Sequence, residues 1–220
     1  MQKSKIEWCN HTINPIIGCK GGCSYCYAKK MNNRFKWVKK WEEPEVKYDW
    51  LAKLKSIKKP SRIFMGSVTD LFGEWVYQEW IEHIIKICGK HPQHTFLFLT
   101  KNPKRYAEFE FPDNCWLGAT FIGEDYSSSY GMLDLGKIKN NNKFVSYEPM
   151  LKDYYCFDNI MVSGLRWMII GGLTGAKAPH EKEWIDVLIK QCKRYKIPIF
   201  IKSNAKYPIK IQNYPEEMKR

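Results

Sequence analysis

Three cysteines fall within eight residues in the segment Asn14-Pro-Ile-Ile-Gly-Cys19-Lys-Gly-Gly-Cys23-Ser-Tyr-Cys26-Tyr-Ala28. Gly21 and Gly22 let the backbone curl between the first two cysteines without Cβ clashes, and they leave N–H groups able to point toward sulfur. Such a loop can wrap one face of an iron–sulfur cubane and supply three of its ligands, whereas these clusters usually take four cysteines. One iron would therefore stay open, and a substrate can coordinate at an open metal position.

A zinc site is the main alternative for this loop, with Cys9 or His11 as the fourth ligand. Structural zinc sites, however, usually pair two short cysteine hairpins, and the sequence contains no second C-x-x-C hairpin. No second cluster is expected from the other cysteines, which are isolated (Cys115 and Cys156) or stand on apolar helix faces typical of the core (Cys88 and Cys192).

Composition and charge narrow the class of protein. The chain has 220 residues, of which 44% are hydrophobic, enough for one sizeable core. A net charge of +13 favours anionic partners, nucleic acid first, although a solvated lysine-rich surface would give the same balance. The polar start Met1–Trp8 carries no signal peptide, and no apolar run approaches the ~20 residues of a membrane span. We therefore expect a cytoplasmic protein without a membrane partner. Because thiols stay reduced in the cytoplasm, the eight cysteines favour metal or redox chemistry over disulfides.

Short apolar runs alternate with longer amphipathic ones along the chain. The short runs are β-branched or aromatic and nearly continuous, which predicts strands buried on both faces. These predicted strands are Arg62–Ser67, Thr95–Thr100, Cys115–Thr120, Lys143–Ser146, Trp167–Ile170 and Pro198–Ile201.

Helical patterns fall between these runs. Helices are predicted at Tyr77–Cys88, Asn102–Glu108 and Glu181–Tyr195, and a long helix is predicted from Cys26 toward Trp41. The polar, glycine-containing run Tyr126–Asn142 predicts a reduced or absent helix. Alternating strands and helices predict an α/β fold with mostly parallel strands, about six or seven of them, in a single domain over residues 1–220. An open partial barrel and a doubly wound sheet both remain open at this point.

The cysteine loop carries a family resemblance. The pattern C-x3-C-x2-C at Cys19, Cys23 and Cys26, with aromatic Tyr25 before the third cysteine, resembles the signature of the radical S-adenosylmethionine (SAM) superfamily. The wider string NP-x-x-GC-x-x-x-C-x-YCYA resembles spore photoproduct lyase and its relatives. A group of small phage and bacterial three-cysteine-motif proteins resembles nearly the whole chain, at the N-terminal IEW, the loop, Ser67–Asp70, Leu99–Lys101, Val145–Pro149 and Ile170–Gly172. Leu173 departs from that pattern, where a Glu is expected.

The resemblance implies a partial (β/α)6-type barrel and two cofactors, a [4Fe–4S] cluster and SAM. It implies that SAM's methionine amino and carboxylate groups chelate the open iron. Reductive cleavage of SAM would then give a 5′-deoxyadenosyl radical that abstracts hydrogen from a substrate. A low-potential electron donor of flavodoxin or ferredoxin type is implied as a partner, and the substrate is unknown, with a nucleic acid or nucleotide favoured.

Candidate binding residues follow the predicted strands, because function gathers at the carboxyl ends of barrel strands. The resemblance implies that Lys101 pairs with SAM's carboxylate. Ser67 and Asp70 are candidates for the methionine ammonium. The remaining cofactor-binding candidates are Tyr25 and the backbone of Gly171 and Gly172 beside the adenine, Thr100 at a strand end, and Glu148 on the substrate side. Each has a plainer interpretation as a helix cap, a turn or a solvated charge.

Two other classes of function stay open from the sequence. One is a non-catalytic zinc- or nucleic-acid-binding module, and the other is an iron–sulfur electron carrier or redox sensor. Aromatic residues beside basic ones, as in Phe35-Lys-Trp37 and Lys40-Trp41, suit base stacking with phosphate contact. The same alternation also occurs on ordinary amphipathic helices.

Overall fold

The computed structural model describes residues 4–123, 126–139, 142–153, 164–173 and 180–218. The chain divides into two compact units. The first comprises Met1–Asn102 and Glu108–Trp116, and the second comprises Pro103–Ala107 and Leu117–Arg220. That residues 1–220 form a single domain remains a prediction.

Parallel strands form the centre of the first unit. Strand β1 (His11–Ile13) pairs with β4 (Arg62–Met65), and β4 pairs with β5 (Thr95–Thr100), with Ile63 opposite both His11 and Phe96. Between β1 and β4, the two-residue strands β2 (Ile16–Ile17) and β3 (Glu45–Val46) pair in antiparallel fashion. The helices of this unit are α1 (Tyr27–Phe35), a 3-10 helix (Tyr48–Ser56) and α2 (Gln78–Gly89).

The second unit repeats the strand–helix alternation. Its strands are β6 (Cys115–Phe121), β7 (Lys143–Tyr147), β8 (Leu165–Ile170) and β9 (Ile199–Ile201). The part of β6 from Leu117 onward belongs to this unit. Each neighbouring pair from β6 to β9 is parallel. Its helices are α3 (Tyr126–Lys137), α4 (Lys182–Arg194) and short 3-10 helices at Pro103–Glu108, Ser203–Ala205 and Glu216–Met218.

The predicted α/β class with mostly parallel strands is confirmed. The strand order is β1-β4-β5 within the first unit and β6-β7-β8-β9 within the second. All five residues of β7 are buried, as expected of strands covered on both faces. Cys88 on α2 and Cys192 on α4 are buried core residues, as predicted from their apolar helix faces. Cys156 lies outside the described residues.

Two helix predictions were wrong. The helix after Cys26 ends at Phe35 instead of continuing toward Trp41. Lys36 adopts a left-handed conformation (φ 52°), and the buried Asn32 side chain accepts from the Val38 N–H and donates to the Val38 carbonyl. These bonds give the chain an alternative to a further helical turn. The run beginning at Tyr126, predicted to have little helix, forms α3. No helix in the described part of the chain combines the length and apolar character needed to cross a membrane.

Candidate functional site

The cysteine loop is anchored where it leaves the short strand β2. The Cys19 N–H donates to the Trp41 carbonyl at 2.8 Å, and Thr69 Oγ1 donates to the Gly18 carbonyl at 2.5 Å. Gly18 has φ +102°, and a Cβ there would lie 2.8 Å from the Trp41 oxygen. A glycine is therefore required at the start of the loop, both for its backbone conformation and for the close approach of residue 41.

Backbone N–H groups point at two of the three loop sulfurs. The Gly21 N–H donates to Cys19 Sγ at 3.3 Å, and the Lys29 N–H donates to Cys26 Sγ at 3.4 Å. Cys26 is the N-cap of α1, so its sulfur also lies at the positive end of a helix. Both features place positive partial charge beside a sulfur, which suits a metal-bound thiolate.

Gly21 opens the space between the first two sulfurs. A Cβ at this residue would lie 3.3 Å from Cys19 Sγ, 3.9 Å from Cys23 Sγ and 3.6 Å from the Trp75 ring. The loop therefore curls around a small cradle that any side chain at position 21 would fill, and the two sulfurs face it. Three thiols, two of them with N–H donors, together with this cradle fit the donor set of an iron–sulfur cluster.

An apolar cluster supports the loop from beneath. Cys19 and Cys26 are partly buried against it, together with Trp37. Its fully buried members are Ile17, Ala28, Val38, Trp41 and Val68. Burial raises the pKa of the Cys19 thiol above its ordinary value, although the N–H groups of Gly21 and Asp70 oppose this shift. Metal binding at Cys19 would therefore release a proton at neutral pH.

A single-ion site is not formed by these side chains. Among the described residues, no three His, Cys, Asp or Glu side chains stand close enough to hold one metal ion. A tetrahedral zinc ion would require sulfurs within about 4 Å of one another, whereas the cysteines of a cubane bind different irons and stand further apart. Cys9, the proposed fourth zinc ligand, is buried and donates to Ser4 Oγ and the Ile6 carbonyl. His11, the other residue proposed as a fourth zinc ligand, lies on β1.

Asp70 connects the carboxyl ends of β4 and β5. Its Oδ1 accepts from Thr100 Oγ1 at 2.6 Å and from the Phe72 N–H at 3.2 Å, while Oδ2 accepts from the Lys101 N–H at 2.9 Å. These three bonds hold two of the predicted site residues, Thr100 and Lys101, in a fixed position relative to Asp70. Oδ1 thus accepts two hydrogen bonds and Oδ2 accepts one, so Oδ2 retains a second lone pair.

Ser67 joins the same region to the start of the cysteine loop. Its hydroxyl donates to the side-chain oxygen of buried Asn14 at 3.0 Å. Its carbonyl accepts from the Tyr27 hydroxyl on the first turn of α1. The structure thus brings together the loop and the β4 end, and sequence reasoning missed Asn14 because nothing local marks it as a partner of residue 67.

Lys101 provides a cation beside the loop. Its side chain reaches solvent, and Nζ lies 6.0 Å from the centre of the Tyr25 ring. Surrounding protein lowers the pKa of this ammonium by desolvation, but the charges of Cys23, Tyr25, Asp70 and Cys19 outweigh that effect and raise it overall. Lys101 is therefore protonated at neutral pH and lies within electrostatic reach of the loop cysteines.

The remaining predicted residues lie in the second unit, where other residues of that unit engage them. Glu148 forms an ion pair with Lys202, and their side chains are only 21% and 14% exposed, respectively. Gly171 leaves room for this carboxylate, since a Cβ there would lie 2.6 Å from Glu148 Cδ. Gly172 donates its N–H to Asn204 Oδ1 and accepts from Asn204 Nδ2 at 2.8 Å. Asn204 was not predicted, because no sequence pattern distinguishes it.

Comparisons with known proteins bear on the fold and the family. Two structures of spore photoproduct lyase, one complexed with dinucleoside spore photoproduct and one mutant with bound AdoMet and dinucleoside spore photoproduct, superpose with TM-scores of 0.65 and 0.66. Identity is 10% in each case, over 91% of this chain and 78% of theirs. The likeness confirms the predicted partial (β/α)6-type barrel class, the fold expected of the radical SAM superfamily.

Sequence relatives give a family but no activity. An uncharacterized protein of Methanocaldococcus jannaschii, MJ0683, is 38% identical over 72 residues, which is 31% of this chain and 27% of that protein. The predicted phage grouping stays a prediction. A family model matches residues 3–217, nearly the whole sequence, and the chain therefore belongs to the family described as Protein of unknown function (DUF5131).

Proposed function

We propose that this chain is a radical SAM enzyme in which Cys19, Cys23 and Cys26 hold a [4Fe–4S] cluster. The observation that carries the proposal is the arrangement of the loop: Cys19 and Cys23 face the cradle left by Gly21, and protonated Lys101 lies nearby. When bound, the cluster would supply an electron to SAM, whose S–C5′ bond breaks to give methionine and a 5′-deoxyadenosyl radical. The chain's own residues bind, orient and shield that chemistry.

The first unit supplies the groups suited to the methionine part of SAM. Lys101 offers a cation for the carboxylate, and its backbone is fixed by Asp70. The Asp70 carboxylate retains acceptor capacity for the ammonium, and the Ser67 hydroxyl oxygen can also accept. Tyr25, 6.0 Å from Lys101 Nζ, offers an aromatic face to the adenine. Asp70 also positions Lys101, and Thr100 positions Asp70 by donating to its Oδ1.

The remaining candidate residues belong to the second unit alone. Glu148 is held by Lys202 across Gly171, and the Gly172 backbone is held by Asn204. We assign Glu148 to the substrate side and the Gly171–Gly172 backbone to the adenine. A nucleic acid or nucleotide substrate is supported by the net charge of +13 and by the dinucleoside bound in the lyase structures.

The test begins with anaerobic reconstitution using iron and sulfide, followed by a strong chemical reductant and SAM. We expect 5′-deoxyadenosine by mass spectrometry, and a change in the electron paramagnetic spectrum of the reduced protein when SAM is added. Cys23→Ala should abolish both, whereas Cys192→Ala, which removes a buried cysteine of the core, should retain them.

A second pair of variants separates SAM binding from metal binding. Lys101→Met should raise the SAM concentration needed for the spectral change at least tenfold, while Lys190→Met, an exposed lysine of α4, should leave it unchanged. If SAM did not change the spectrum of the cluster-loaded protein, the result would support a function as an electron carrier instead. Zinc bound in place of iron after anaerobic purification would contradict the proposal.

A further inference from the structure

Helix α1 presents an exposed face in which apolar and basic side chains are mixed. Tyr27, Met31 and Phe35 are 44%, 38% and 53% exposed, and their spacing of four residues places them along one side of the helix. Lys30 lies three residues after Tyr27, and Arg34 lies three residues after Met31, so both stand on the same side of the helix. Both are exposed. These five residues are called the α1 face below.

The α1 face carries a large share of the exposed apolar side chains. Seven large apolar side chains are exposed in the described part of the chain, and three of them lie on this nine-residue helix. The helix contains no Asp or Glu, and its buried side consists of Ala28 and Asn32. Exposed apolar groups concentrated in this way mark interaction sites, and the two cations specify an acidic partner.

We propose that the α1 face is the docking surface for an acidic one-electron carrier protein of flavodoxin or ferredoxin type. The inference rests on the proposed function, which requires one electron for each SAM cleaved. Helix α1 begins directly after Cys26, and at 1.5 Å per residue its far end is only about 14 Å away. A protein seated on this face would therefore lie close to the cluster loop.

The residue types fit a protein partner. Tyr, Phe, Met and Arg are enriched in the buried centres of protein interfaces, and all four occur here. Trp37 connects the face to the loop, because its ring stacks with Phe35 at 6.0 Å and packs against the same apolar cluster as Cys19 and Cys26. The Phe35 ring also has the Arg34 guanidinium 5.2 Å from its centre, so a nucleic-acid base would compete with two groups of the chain for this ring.

The electron balance of the docked complex is simple. One electron leaves the reduced carrier, which is oxidised, and enters the cluster held by the loop, which is reduced. No bond forms between the two proteins, and no proton transfer is required. The basic residues would accelerate encounter and the apolar ones would hold the complex.

The test measures docking directly, with a purified acidic flavodoxin as the probe and the cluster-loaded chain immobilised. The double variant Lys30→Glu with Arg34→Glu reverses both charges of the α1 face. Its matched control, Lys190→Glu with Arg194→Glu, changes the same residue types at the same spacing on α4, where Arg194 likewise lies over a neighbouring ring, that of Tyr195. Phe35→Ser tests the apolar part independently.

We expect the α1 double variant to weaken flavodoxin binding at least tenfold at low salt, Phe35→Ser to weaken it several-fold, and the α4 control to stay within twofold, as estimated from charge-pair effects at interfaces. Cluster reduction by reduced flavodoxin should slow in parallel, while reduction by titanium(III) citrate should not change. Equal losses in both double variants, or no loss in either, would overturn the assignment. So would a labelled single-stranded oligonucleotide that binds through these two cations when flavodoxin does not.

Failure of the proposed function would look different. If the loaded chain gave no 5′-deoxyadenosine with titanium(III) citrate, yet flavodoxin still bound in a manner sensitive to Lys30 and Arg34, the docking surface would stand and SAM cleavage would be rejected.

Discussion

Replacing Asp70 by asparagine removes one arm of the connection between the β4 and β5 ends. An amide has a single acceptor oxygen, and the less costly orientation keeps it toward Thr100 Oγ1 and the Phe72 N–H. The amide NH2 then faces the Lys101 N–H, which donates to Oδ2 at 2.9 Å in the native chain. Losing a hydrogen bond to a charged group costs about 1.5–3 kcal/mol. For a chain of 220 residues, this corresponds to a fall in Tm of roughly 3–12 °C.

Thermal unfolding followed by circular dichroism measures this difference. Asp134→Asn is the matched control, because Asp134 on α3 pairs with the exposed Lys137 at 2.9 Å. A surface pair of this kind contributes about 0.5 kcal/mol or less, so its Tm should fall by less than about 2 °C. If Asp70→Asn changed the Tm no more than Asp134→Asn, the inferred role of Asp70 in holding Lys101 would be refuted.

Three further predictions concern stability, each measured by denaturant unfolding. Gly18→Ala should cost about 1–3 kcal/mol, because its φ of +102° and the 2.8 Å approach to the Trp41 oxygen exclude a Cβ; an unchanged midpoint would contradict this. Burial raises the pKa of the Cys192 thiol to about 12, so the unfolded chain loses this proton first; stability should decline as the pH rises above about 8.5, and less steeply in Cys192→Ala. Lys202→Met should cost about 1–3 kcal/mol by leaving the Glu148 carboxylate unpaired, and adding Glu148→Gln should restore part of it; no recovery would argue against the pair.

The strands were predictable because each is a nearly continuous apolar run. All six predicted strands differ from the observed ones by at most two residues at either end, as β5 and β7 illustrate. The helix after Cys26 was predicted too long, since the pattern of residues 36–41 does not reveal that Asn32 turns back to bond Val38. Periodicity reports the face that a helix buries but not a side chain that replaces the next turn.

The candidate site was predicted in part. Reading each apolar run to its polar end gave Ser67, Thr100 and Lys101, all near the cysteine loop in the first unit. The same approach could not show that Asp70 holds Thr100 and Lys101, or that Asn204 occupies the Gly172 backbone. Those bonds join residues about thirty positions apart, and no local spacing encodes them.

The sequence by itself determined the spacing of Cys19, Cys23 and Cys26 and the alternation of buried strands with amphipathic helices, because both depend on residues only a few positions apart. The tertiary structure decided which polar groups are already engaged and which remain accessible. The bond from Ser67 to Asn14 spans 53 positions and depends on the pairing of β1 with β4. The exposure of Tyr27, Met31 and Phe35 likewise depends on what the rest of the chain leaves uncovered. Contacts of this kind follow from how distant segments pack, which a linear pattern does not contain.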